Sequence, residues 1–163
     1  MPRATLAAVP VLLATLVAAP AVGAAVPRGP SGPAFYAPPS PLPAGAHGAA
    51  IRARPLRGPA ALGGARRNVL LLYRSTGSGG RALAVSGTVA VPVGRAPRGG
   101  WPVVAYGHGT SGIADRCAPT RDRAGTAVHA YHAYAYPLLE RWLKAGYAVV
   151  RTDYQGLGTP GVH

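Results

Sequence analysis

Hydrophobic positions cluster in a few dense runs, separated by breaks rich in glycine and proline. Val69-Leu70-Leu71-Leu72-Tyr73-Arg74-Ser75-Thr76 predicts a strand, turned by Gly77-Ser78-Gly79-Gly80. Residues 82–93 carry Val85, Val89, Val91 and Val93 and predict an antiparallel neighbour across that turn. Trp101-Pro102-Val103-Val104-Ala105-Tyr106 is a short unbroken apolar run, the pattern of a buried strand. Residues 113–133 read as irregular and polar. Residues 137–146 predict a helix, with Pro137 in its first turn and Gly146 at the left-handed position past its end. Leu138, Leu139, Trp142 and Leu143 would form its apolar face. Residues 147–154 predict the next strand, and 155–161 a glycine- and proline-rich loop.

The last three elements form a strand–helix–strand unit, which implies two parallel strands joined by a right-handed crossover. A parallel sheet is stable with helices on both faces, and one helix covers only one. The expected sheet is therefore half covered, with a bare strand edge and poor solubility.

Composition adds an N-terminal story. Met1-Pro2-Arg3 is a short basic start, residues 4–19 are almost wholly apolar, and Val22-Gly23-Ala24-Ala25 is a run of small residues. That order is the pattern of a secretory signal peptide, expected to be cleaved after Ala24 or Ala25. An uncleaved anchor is the alternative, disfavoured by Pro10 and Pro20. Either reading places the rest outside the cytoplasm, and a secreted product with no stable membrane span after cleavage is the expectation. Residues 26–67, rich in Pro, Gly, Ala and Arg, read as an arm without regular structure. Its Phe35-Tyr36 pair could pack on the body, the alternative being a disordered linker. The expected division is 1–25 signal peptide, 26–67 arm and 68–163 folded domain.

Charge is lopsided, with 17 Lys and Arg against 4 Asp and Glu. The Arg residues are scattered, only Arg66-Arg67 are adjacent, and no nucleic-acid motif accompanies them, so no nucleic-acid partner is expected. The 1 Cys, Cys117, excludes a disulfide framework or a thiolate zinc site within the chain. His129 and His132 are spaced i, i+3, but Asp122, the nearest carboxylate, falls in an irregular stretch, so neither a metal nor any other cofactor is expected.

Loops at the carboxyl ends of parallel strands carry function in α/β folds, and the sequence offers two. In Gly107-His108-Gly109-Thr110 the glycines let backbone approach a ligand, and such a turn can aim N–H groups at developing negative charge. The competing reading is an ordinary turn holding a buried His108. The second loop, Asp153-Tyr154-Gln155-Gly156-Leu157-Gly158, lacks the Lys-Ser/Thr ending of a phosphate loop. Asp153 reads as structural, holding its own loop by Asx-type hydrogen bonds, with Gly156 and Gly158 allowing the turns.

These residues carry a resemblance. Phe35-Tyr36 with Pro38-Pro39, Leu42-Pro43, Ile51-Arg52 and Pro55-Leu56 resembles the N-terminal arm of the secretory lipase family of α/β-hydrolases. Tyr73-Arg74-Ser75, Tyr106-Gly107-His108-Gly109-Thr110 and Ala114-Asp115-Arg116-Cys117-Ala118-Pro119 extend it, as do Gly146-Tyr147-Ala148-Val149-Val150 and Asp153 to Gly161. The resemblance implies an α/β-hydrolase fold behind a Pro-rich arm, acting on carboxylic, acylglycerol-type esters through a Ser-His-Asp acyl-enzyme. It implies oxyanion donors at Gly109 and Thr110, structural roles for His108, Asp153, Gly156 and Gly158, and a disulfide partner for Cys117 beyond His163.

The chain departs from the family at the nucleophile. None of its 6 serines has Gly at both −2 and +2, as a Gly-x-Ser-x-Gly elbow requires. Ser78 lies in a hairpin turn, and Ser111 lies in the loop that the resemblance assigns to the oxyanion. No catalytic nucleophile, acid or base is expected within the 163 residues, and the fold is expected to be truncated after about the fourth strand. Alone, the chain is expected to be inactive. Two rival readings remain open: a non-catalytic, basic, surface-binding secreted module, or an α/β-hydrolase of other specificity such as a peptidase.

Overall fold

A computed structural model of the chain describes residues 25–161. The signal-peptide expectation therefore lies outside the described residues, save Ala25. Five strands form one sheet: β1 (Ala50–Pro55), β2 (Arg67–Thr76), β3 (Ala82–Val91), β4 (Val103–Tyr106) and β5 (Ala148–Thr152), in the order β1-β2-β3-β5-β4. The β2–β3 hairpin is antiparallel, as its Gly-rich turn predicts, with Gly79 and Gly80 both at positive φ. β3 ends at Val91 rather than 93 because Pro92 has no N–H to continue the ladder. β4 and β5 are parallel, Val104 opposite Val149, as the strand–helix–strand pattern implies.

Two helices lie between β4 and β5: α1 (Ala127–Ala133) and α2 (Tyr136–Lys144). α2 has Pro137 in its first turn, and Gly146 follows it at φ +86. Leu139 and Leu143 bury against Leu62, Ala90 and Val149 on one sheet face. Leu138, placed on that face by the sequence, is 45% exposed instead. The stripe running through Ala135, Leu139 and Leu143 meets the sheet, and Leu138 sits on its flank.

The structure also corrects the expectations for the arm, for residues 113–133 and for the burial of β4. The arm is not without regular structure. Gly32–Tyr36 forms a 3-10 turn, and β1 pairs antiparallel with β2. Phe35 is fully buried with Ile51, Leu70 and Leu72 in a second core, so the aromatic pair anchors the arm to the body. Residues 113–133 are not wholly irregular, because Thr126 caps α1 by accepting from the His129 N–H at 3.1 Å. The apolar run of β4 is not buried: Val103 is 62% exposed, since β4 is the sheet edge among the described residues. The face opposite α2 holds a groove of about 340 Å³ floored by Leu71, Val89 and Val150. No helix among the described residues is long and apolar enough to cross a membrane.

Candidate active site

The parallel β4–β5 pair brings the two loops at its carboxyl end side by side. Tyr154 lies just past β5, and its ring stacks on His108 at 4.5 Å between centroids. The Tyr154 hydroxyl donates to the His108 carbonyl at 2.9 Å. His108 Nδ1–H donates to the Gly109 carbonyl at 2.7 Å. Tyr154 is held at φ +69, the left-handed region that non-glycine residues rarely occupy. Its N–H donates to Thr152 Oγ1 at 3.2 Å.

The glycines of the first loop are needed for a reason the sequence does not reveal. A Cβ on Gly107 would lie 2.8 Å from the Tyr154 hydroxyl, and one on Gly109 would lie 2.9 Å from that of Tyr131. Side chains of the protein itself press on both glycines, one from each flank. Gly109 and Thr110 are exposed, so their backbone is open to a ligand approaching from solvent.

Asp153 is fully buried, and its bonds are not the expected Asx-type contacts within its own loop. Its carboxylate accepts from Ser86 Oγ at 2.6 Å, from the Thr120 N–H at 3.0 Å and from Thr120 Oγ1. It thereby ties β5 to β3 and to the segment after Cys117. Burial pushes its pKa up to about 6, against the opposing pull of those hydrogen bonds. Gly156 and Gly158 both have positive φ, and a Cβ on Gly158 would lie 2.8 Å from that of Ala118. Cys117 is a buried free thiol packed with Ala118 and Leu157, its carbonyl accepting from Ser111 Oγ at 2.9 Å.

Asp122 is a site residue that the sequence reading passed over. Its side chain is fully buried, and Oδ2 accepts from His129 Nδ1–H at 2.7 Å and from the Tyr136 hydroxyl at 3.3 Å. Oδ1 faces His132 Nδ1 at 3.7 Å, too long for a hydrogen bond. The Thr126 cap was the available signal, since it starts the helix that turns both histidines toward Asp122. Burial lowers the His132 pKa despite the neighbouring carboxylate. Among the described residues no His, Cys, Asp and Glu grouping could hold a metal ion. The two histidines face different oxygens of one carboxylate, and only His129 is hydrogen-bonded to it.

No protein-family model and no curated protein matches the chain. Solved structures do. The chain is similar to Candida antarctica lipase A in its closed state, with a TM-score of 0.54 and 25% identity. A second X-ray structure of Candida antarctica lipase A gives 0.53 and 24%. The fold is lipase-like. Each match covers 73% of this chain but 28% of the lipase, so the chain spans little more than a quarter of the lipase it resembles.

Proposed function

We propose that this chain is the front portion of a secreted serine ester hydrolase of lipase type. The observation that carries the reading is the Gly107–Thr110 loop, exposed at the carboxyl end of β4 beside the β5 loop. Likeness to a lipase in fold supports it. In this reading the Gly109 and Thr110 N–H groups stabilise the oxyanion of the tetrahedral intermediate. A serine outside the described residues attacks the ester carbonyl, a histidine takes its proton and an aspartate orients that histidine. The Cys117 thiol would pair with a cysteine of the same downstream segment.

Within the 163 residues the chain supplies donors and a scaffold, without a Gly-x-Ser-x-Gly nucleophile. Thr110→Pro deletes one donor and tests the assignment in a chain read through codon 163. Its kcat on a short nitrophenyl ester should fall by roughly 10²–10³ with KM little changed, whereas Thr110→Ser should retain activity. Equal activity of the Pro variant would remove Thr110 from the reaction.

A further inference from the structure

Arginines that lie far apart in the sequence are gathered by the fold. Three hollows run one into the next between the arm and the segment 114–128. The first, of about 630 Å³, is walled by Arg116, Arg121 and Arg123. The second, of about 260 Å³, shares Arg121 and Arg123 with the first and adds Arg54. The third, of about 290 Å³, shares Arg54 with the second and adds Arg28 and Arg57. The shared walls make one groove, with three guanidinium groups at every station along it.

The charge of this groove is one-sided. Arg28, Arg57, Arg116 and Arg123 are exposed, and among the described residues their side chains have no hydrogen bond or ion pair. Arg121 is fixed at the centre, its guanidinium 4.0 Å above the Tyr36 ring and its Nη2 donating to the Gly158 carbonyl. Two carboxylates reach the walls. The Asp122 side chain is fully buried and bonded to His129, so only Asp115 is exposed to a ligand. A cleft lined by one sign of charge focuses its field and gathers counter-charge.

The walls also select among anionic ligands. A planar guanidinium fork matches a carboxylate two-pronged. Repeated stations of like charge suit a chain that carries an anion on each unit. Hollows of a few hundred Å³ accept a sugar ring at each station, and a bare phosphate chain would leave them mostly empty. Asp115 favours the same ligand, because it can accept from a sugar hydroxyl and repels a chain that carries phosphates alone. Tyr36 is 8% exposed beneath Arg121, so its face is closed to a stacking nucleobase. A flat lipid surface would touch the rim of such a groove and leave its walls unused.

We propose that this groove binds a linear polyuronate, an acidic polysaccharide with one carboxylate on each sugar, and so holds the protein on an anionic matrix. No wall residue belongs to the Gly107–Thr110 loop, so the proposal stands without the ester-hydrolase reading.

The test reads binding without turnover. Fluorescein-labelled polygalacturonate is titrated with dilute full-length chain and followed by anisotropy. Binding should be saturable and should weaken as salt rises, while neutral dextran should not bind. Inorganic polyphosphate and single-stranded DNA, matched in total charge, should compete poorly. Arg57→Glu with Arg116→Glu reverses charge at the two ends of the groove and should weaken binding roughly tenfold. Arg95→Glu with Arg98→Glu makes the same change in net charge outside the groove and should leave binding unaltered. All four positions are exposed, so the far-UV spectrum should not change in either variant. Equal losses in the two variants would reduce the effect to net charge and overturn the proposal. So would absence of saturable binding, binding of dextran, or competition by polyphosphate or DNA as strong as that of unlabelled polygalacturonate.

Discussion

The Tyr154 hydroxyl donates to the His108 carbonyl at 2.9 Å while the two rings stack at 4.5 Å. This pairing joins the loop after β4 to the loop after β5, across the parallel pair on which the candidate site is built. Tyr154→Phe keeps the stack and removes the bond. It should cost about 1 kcal/mol locally and speed amide exchange at Gly109 and Thr110, with β2 and β3 amides unchanged. Unaltered exchange in the loop would show that the stack alone holds it.

Gly109→Ala places a Cβ 2.9 Å from the Tyr131 hydroxyl. Tyr131 is 44% exposed and can yield, so the expected loss is about 1 kcal/mol rather than collapse. Adding Tyr131→Phe removes the offending oxygen and should recover most of that loss in chemical denaturation. Gly158→Ala should cost more, because it combines φ +82 with a 2.8 Å approach to the fully buried Ala118, which cannot move cheaply. Additive effects of Gly109→Ala and Tyr131→Phe would contradict the contact.

Asp153 makes stability depend on pH in a direction opposite to most carboxylates. Folded, it holds its proton up to about 6, against 3.8 for an ordinary aspartate in water. The folded state therefore binds more protons across that window, and this group's contribution is full below about pH 4 and declines as pH rises through 6. Denaturant midpoints of Asp153→Asn should lack that decline between pH 4 and 6. Asp153→Ala should be worse at every pH, since Ser86, Thr120 Oγ1 and the Thr120 N–H all lose their acceptor. A wild-type profile that rises between pH 4 and 6 as steeply as that of Asp153→Asn would refute the raised pKa.

What could be read from the sequence follows from where the apolar residues lie. β2, β3 and α2 show themselves because one face of each is packed with Leu or Val. β1 is nearly silent: in Ala50–Pro55 only Ile51 is a large apolar residue. Arg52 and Arg54 are held by the carbonyls of Ala34, Ala37 and Pro30, contacts that no periodicity encodes. α1 is silent for a related reason. Its polar attachment runs through the His129–Asp122 hydrogen bond, and Val128 is its one apolar residue packed on the Cys117 cluster, too little to mark a helix by periodicity. The loop at 107–110 was legible because two glycines flank a histidine after a strand. The tyrosines pressing on those glycines were not, since Tyr131 and Tyr154 come from distant parts of the chain.

Among the described residues β4 is the sheet edge, and that edge should govern the behaviour of the 163-residue chain in solution. Val103, 62% exposed, sits on an edge with unpaired backbone groups, and the groove across Leu71, Val89 and Val150 adds an apolar face. Self-association should rise with concentration, and Val103→Lys should reduce it without altering the far-UV spectrum. Sedimentation that stays monomeric for wild type at high concentration would contradict this.

The most direct measurement compares ester hydrolysis by the 163-residue chain with hydrolysis by the product read through codon 163, each with a fluorophosphonate probe. The expected result is no turnover and no labelling of the shorter chain, and turnover by the longer one with the probe on a Gly-x-Ser-x-Gly serine outside residues 1–163. Turnover by the 163-residue chain that survives Ser78→Ala and Ser111→Ala yet is blocked by the probe would contradict it.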